Sequence, residues 1–127
     1  MDDSLKQQCL NLIYESLILP LDYNFFMNFF KDWEVLPIYS KTTLAGGFLL
    51  KDNEIHIGIS TPFQKKIYWR KYCKLYIKPL LEVKGYLRTS LLKIDLSALS
   101  ILLKAGLTVI SEDENLYYLR LDKLKYV

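Results

Sequence analysis

Leu5, Cys9, Leu12, Ile13 and Leu17 recur at helical spacing behind Ser4, a residue type suited to a helix N-cap. This predicts a first helix that stops before Pro20. A second, aromatic-rich helix is expected from Tyr23 to Trp33, carrying Phe25, Phe26, Phe29, Phe30 and Trp33. The pattern then turns to strands. Val35 to Tyr39 is short and apolar, and Thr42 to Leu50 and Glu54 to Ser60 flank the polar turn Lys51-Asp52-Asn53, so the pair reads as a β-hairpin. Alternation places Glu54, His56 and Gly58 on one face of the second hairpin strand and Ile55, Ile57 and Ile59 on the other.

Pro62 opens a long helix, expected from about Phe63 to Val83, which Pro79 should kink or restart. Tyr86 to Leu92 is the next strand. Asp95 caps a helix from about Leu96 to Ala105 that Gly106 ends. Leu107 to Ser111 and Leu116 to Leu121 are two last strands, joined by Glu112-Asp113-Glu114-Asn115. The order is α-α-β-β-β-α-β-α-β-β. A hairpin followed by alternating helix and strand indicates a mixed sheet with helices on its faces.

The chain has 127 residues, 51% of them hydrophobic, so a single domain over 1–127 with a real core is expected, helical over 1–34 and sheet-based over 35–127 with two later helices. That composition excludes a disordered chain. The most apolar region, Cys9 to Phe30, is interrupted by Glu15, Pro20 and Asp22 and is too broken for a membrane span. The acidic start Met1-Asp2-Asp3 lacks the basic region of a signal peptide, so a protein that is not secreted is expected. Cys9 and Cys73 follow no paired spacing and read as reduced thiols in a cytosolic or virion-interior protein. A single histidine and no Cys-rich motif argue against zinc, and no metal is expected. Ser90, Ser97 and Ser100 have no histidine or acid at recognisable spacing, so no serine nucleophile is read.

Charge changes the picture locally. The total is +3. Lys65, Lys66, Arg70, Lys71, Lys74, Lys78 and Lys84 stand against Glu82 alone, seven cations against one acid, which leaves −3 to the rest. Lys66, Arg70, Lys74 and Lys78 follow i, i+4 spacing and are expected to share a helix face. Tyr68, Tyr72 and Tyr76 form a second stripe, expected to pack on the sheet with hydroxyls outward. The basic face suits nucleic acid, an acidic partner or a membrane surface, without sequence specificity.

The element order, with Ala45-Gly46-Gly47-Phe48, Glu54 to Ile59, Thr61-Pro62-Phe63-Gln64 and the Asp95, Ala98, Gly106, Leu107 positions, resembles the GNAT acetyltransferase fold from about Leu44 to Leu121. The resemblance implies an α/β, GNAT-like, mixed and largely antiparallel sheet flanked by about four helices. It also implies acetyl transfer from acetyl-CoA to an amine. Glu54 or His56 would be the base, and Ile59, Thr61, Phe63, Gln64, Lys65, Lys66 and Asp95 would face the cofactor.

Three departures point away from that chemistry. The family pattern Arg/Gln-x-x-Gly-x-Gly/Ala reads here Gln64-Lys65-Lys66-Ile67-Tyr68-Trp69, with bulky residues at both glycine positions. Leu102 stands where the family often has a general-acid tyrosine, and Asp95 replaces asparagine. The expectation is therefore a non-catalytic interaction or structural module needing no cofactor. Its partner-facing surfaces are Lys66, Arg70, Lys74 and Lys78 on the basic helix, and Phe25, Phe29 and Phe30 on the aromatic one. A weaker resemblance is to GNAT-like internal virion proteins of short-tailed bacteriophages, through the Gly46-Gly47 strand, the Lys65 to Lys78 helix and the Asp95 to Gly106 helix. It implies a phage particle as the assembly. The alternatives are an acetyl-CoA-dependent N-acetyltransferase and a small nucleic-acid-binding module.

Overall fold

A computed structural model describes residues 3–17 and 20–125. Met1 and Asp2, part of the acidic start, lie outside the described residues. The elements follow the expected order: α1 (Asp3–Glu15), α2 (Tyr23–Phe29), β1 (Glu34–Ser40), β2 (Thr43–Lys51), β3 (Glu54–Ile59), α3 (Trp69–Tyr72), α4 (Lys78–Lys84), β4 (Leu87–Leu92), α5 (Leu96–Ala105), β5 (Thr108–Glu112) and β6 (Leu116–Leu121). The strands form one six-stranded sheet in the order β1-β2-β3-β4-β6-β5. The β1/β2, β4/β6 and β5/β6 pairs are antiparallel and β3/β4 is parallel, which makes the sheet mixed and mostly antiparallel. The chain divides into two compact units, Met1–Asp52 with His56–Tyr68, and Asn53–Ile55 with Trp69–Val127.

Unit one is built on α1 and the β1–β2 ribbon. Cys9, Leu10 and Ile13 of α1 are buried with Phe26, Trp33, Val35 and Leu49, and Leu5, Tyr14, Met27, Phe30 and Leu44 pack around them. Burying side chains of this size contributes roughly 1.5–3 kcal/mol each relative to exposure. Two glycines permit the close packing. A Cβ on Gly58 would meet the Ile13 side chain, and one on Gly46 would lie 2.0 Å from the Gly58 carbonyl oxygen. The tight turn after β2 is made by Asp52 in the left-handed region (φ 55°).

Three expectations change in unit one. Ser4 lies inside α1, and its hydroxyl receives Gln8 Nε2 at 3.4 Å. The second helix ends at Phe29, with Asp22 capping the Phe25 N–H at 2.9 Å, and Trp33 lies beyond it, buried just before β1. On β3, Ile57 is exposed while Gly58 is buried, so the expected apolar face is not uniform: α1 covers the strand at Gly58 instead.

Unit two joins β4, β5 and β6 to the helical residues 69–84 and to α5. Leu87 stands opposite Leu121, and Thr89 opposite Leu119, across the antiparallel β4/β6 ladder. Leu87, Leu119 and Leu121 are buried, as are Tyr72, Cys73, Ile77, Leu107 and Leu124. β5 is an edge strand whose five residues are all exposed, and its register slips between Val109 and Ser111, leaving Ile110 as a bulge. α5 ends as its sequence predicts. Gly106 is left-handed (φ 115°), with its N–H returning to the Leu102 and Leu103 carbonyls.

The long helix expected from Phe63 begins at Trp69 instead. Thr61–Phe63 is a single 3-10 turn, and residues 64–68 are irregular, so Lys65, Lys66 and Tyr68 are not on the helix. Within residues 69–84 the segment Cys73–Ile77 is a π-helix, closed by Lys78 N–H donating to the Cys73 carbonyl five residues back. Pro79 supplies the physical reason. It has no N–H, and its ring collides with the carbonyl four residues earlier, which widening the preceding turn relieves.

Candidate functional site

The residues singled out around β3 are distributed between the two units. Glu54 belongs to unit two, and in the β3/β4 register it stands opposite Arg88. Arg88 N–H donates to the Asn53 carbonyl at 2.8 Å, and Asn53 Nδ2 donates to the Tyr86 carbonyl at 2.9 Å, so this end of β3 is tied into the start of β4. His56 belongs to unit one. It is half-buried, with its ring centroid 5.6 Å from that of buried Trp33.

The turn after β3 is where a helix start was expected to hold phosphates. Ser60 is buried and its N–H donates to the Ala45 carbonyl at 2.8 Å. Phe63 N–H donates to the Ser60 carbonyl at 2.9 Å, Gln64 N–H to Thr61 at 3.4 Å, and Lys66 N–H to Phe63 at 2.9 Å. The Gln64 side-chain amide turns back to the Ile59 carbonyl at 3.3 Å. The Lys66 carbonyl accepts from the Ser40 hydroxyl at 3.4 Å. Lys65 is exposed in the same turn. Three backbone donors of the turn, those of Phe63, Gln64 and Lys66, are thus engaged within it. Ile67 and Trp69, both half-buried, put side chains where glycines would let a phosphate approach.

Asp95 is equally committed. Its Oδ1 accepts the Ala98 N–H at 3.1 Å as the α5 N-cap. Leu102, half-buried, contributes its carbonyl to the Gly106 and Leu107 N–H groups and has no proton to donate from its side chain.

On unit two, Trp69 and Arg70 of α3 and Ile101 and Lys104 of α5 line a shallow, mainly apolar depression flanked by two cations. The sequence reading named Arg70 but passed over Lys104. The available signal was that Lys104 is the single cation between Lys93 and Arg120. Arg70, Lys71, Lys74 and Lys78 are exposed. Tyr72 is buried and Tyr76 half-buried, with their rings stacked 5.8 Å apart, whereas Tyr68 is two-thirds exposed.

On unit one, Phe25 and Phe29 are 58% and 55% exposed and stack on each other 6.2 Å apart. Phe30 differs from them. It is half-buried between Phe26 and Trp33, its ring 5.0 Å from each, and belongs to the packed cluster rather than to an open face.

Cys73 is buried, and burial raises its thiol pKa; the nearby lysines do not lower it. No group of three metal-ligating side chains exists among the described residues, and none of their helices is long and apolar enough to cross a membrane.

No protein-family model matches the chain, and no curated protein matches it in sequence. Solved structures do match its shape. The ribosomal-protein-S18-alanine N-acetyltransferase from Escherichia coli superposes with a TM-score of 0.73 at 10% identity, covering 95% of this chain and 89% of that one. The NatC complex bound to Gag peptide and CoA gives 0.67 at 13% identity, with 96% and 92% covered. The N-acetyltransferase PseH of Campylobacter jejuni gives 0.57 at 18% identity, with 79% and 76% covered. Identities this low carry the fold alone, and on that ground the chain has the fold of the GNAT N-acetyltransferases.

Proposed function

We propose that this chain uses the GNAT fold as an interaction module and does not transfer an acetyl group. The observation that supports this reading is the turn after β3. The N–H groups of Phe63, Gln64 and Lys66 are engaged internally, and side chains stand at the two positions where the family has glycine. Leu102, in place of a proton donor, agrees with it. The partner-facing surfaces are the exposed cations Arg70, Lys74 and Lys78 and the exposed Phe25–Phe29 pair. A bacteriophage particle as the larger assembly is supported by the pattern of the Gly46-Gly47 strand and the basic helix.

The test is calorimetric titration with acetyl-CoA of the wild type and of the Glu54→Gln/His56→Ala variant. The expected result is no binding heat up to millimolar cofactor. Micromolar binding by the wild type overturns the reading in favour of an acetyltransferase. Retention of that binding in the variant would then show that Glu54 and His56 do not capture the cofactor, which is consistent with their acting in chemistry.

A further inference from the structure

We infer that the outer face of residues 69–84 is a docking surface for the phosphate backbone of a nucleic-acid duplex, read without regard to sequence. The inference rests on the interaction-module reading and names its partner.

In a regular helix of 3.6 residues per turn, positions four apart drift by about 40° per step, so a row from 70 to 82 would wind through about 120°. The π segment at Cys73–Ile77 inserts one extra residue, which takes back about 100°. The result is visible in burial. Positions 70, 71, 74, 75, 78, 79, 82 and 83 are exposed, while 72, 73, 76, 77, 80, 81 and 84 are buried or half-buried. The exposed set is a straight strip rather than a spiral.

Along that strip stand Arg70, Lys71, Lys74 and Lys78, with Glu82 the one acid. Arg70, Lys74 and Lys78 make no ion pair or side-chain hydrogen bond among the described residues, and Lys71 lies over the Tyr72 ring at 5.4 Å. Lys104, beside Arg70 in the same depression, extends the patch onto α5. Four-residue steps repeat about every 6 Å along the axis, a spacing comparable to that of successive phosphates on a strand.

The rest of the strip selects the occupant. Leu75, Pro79 and Val83 are its exposed apolar members, with no Trp or Phe among them, which is too little to seat a helix in a bilayer interface. Tyr72 and Tyr76 face inward, and half-buried Trp69, in the depression beside Arg70, is a single ring at one end, so the strip has no row of aromatic platforms for unstacked single-strand bases. Cations without amide or aromatic readers contact phosphates and carry no base code.

The experiment is fluorescence anisotropy of a labelled 20-base-pair duplex titrated with the full chain at several salt concentrations. Wild type is expected to bind with a log–log salt slope of about −4.5, from about five phosphates neutralised. Lys74→Glu/Lys78→Glu is expected to lose at least tenfold in affinity and to flatten the slope. Lys31→Glu/Lys51→Glu has the same net charge change on exposed residues of unit one and is expected to lose less than threefold. Equal losses in the two variants overturn the inference, as does absence of duplex binding at 50 mM salt. Tighter binding to phosphatidylserine vesicles than to the duplex also overturns it. Acetyl-CoA titration of the same preparation bears on the transfer-free reading alone: cofactor binding removes that reading, whereas the duplex surface stands or falls on the charge-reversal comparison.

Discussion

A methyl group added at Gly58 would stand 2.4 Å from Cγ2 of Ile13. Ile13 is itself 4% exposed, so its side chain has no free volume into which to retreat. Gly58→Ala is therefore expected to destabilise the protein by about 1–3 kcal/mol in urea unfolding. Ile13→Ala alone is expected to cost about 2–5 kcal/mol through the cavity it leaves. The double variant should be more stable than the sum of the two predicts, because each change relieves the fault of the other.

Cys9 is fully buried, and burial pushes its thiol pKa up to about 11 from an ordinary 9.0. The folded state therefore holds its proton more tightly than the unfolded state. That contribution is complete below about pH 9 and is lost as pH rises toward 11, at up to about 1.4 kcal/mol per pH unit. Denaturation midpoints measured between pH 8 and 11 should fall over that window. The fall should shrink in Cys9→Ala after correction for its lower starting stability. Ellman's reagent at pH 8 should leave both thiols unmodified until the chain unfolds.

Asp113 organises the β5–β6 turn. It accepts the Tyr118 hydroxyl at 2.7 Å and the N–H groups of Asn115 and Leu116 at 2.9 and 2.8 Å. The Tyr118 hydroxyl contributes most to holding the Asp113 carboxyl below its usual range, and the backbone donors add to it. Reciprocally, the bond to Asp113 raises the Tyr118 pKa. The turn's order is thus present above the ordinary aspartate pKa and is lost as pH falls through the lowered one. NMR titration should show the Asp113 carboxyl pKa returning upward in Tyr118→Phe. Amide exchange at Asn115 and Leu116 should accelerate in Asp113→Ala.

Asp95→Ala removes a cap from a helix that is otherwise weakly buried. Only Ala105 of α5 is buried, so packing compensates little. A loss of about 1 kcal/mol is expected, read by urea unfolding followed by circular dichroism. Asp95→Asn, which retains the accepting oxygen, should recover most of it.

The cap and stop of α5 and the β2–β3 turn were legible because each is a local device: Asp95 before Leu96, Gly106 after Ala105, Asp52-Asn53 between two apolar runs. The π segment was not. Proline 79 announces a disturbance, but whether the helix kinks, stops or widens depends on which turn is held by buried Tyr72, Cys73 and Ile77. The start of that helix was misplaced for a related reason. Pro62 suits a first helical turn, yet residues 64–68 leave the helix after Thr61–Phe63 before it begins again at Trp69. Spacing alone put Lys66 in the cation row, and the actual helix start removes it. The engaged donors of the β3 turn belong to the same event: Phe63, Gln64 and Lys66 each donate three residues back, to Ser60, Thr61 and Phe63, in tight turns that the spacing of the side chains did not distinguish from the start of a regular helix.

The register slip at Ile110 has a meaning for the chain in crowded surroundings. β5 ends the sheet with all five residues exposed, the arrangement that invites a second chain to add its own strand. One extra residue breaks the even succession of donors and acceptors, so an incoming strand would lose its ladder partway along. Seen this way, Ile110 is a guard against fibrous self-association, and its deletion should convert a quiet edge into an adhesive one.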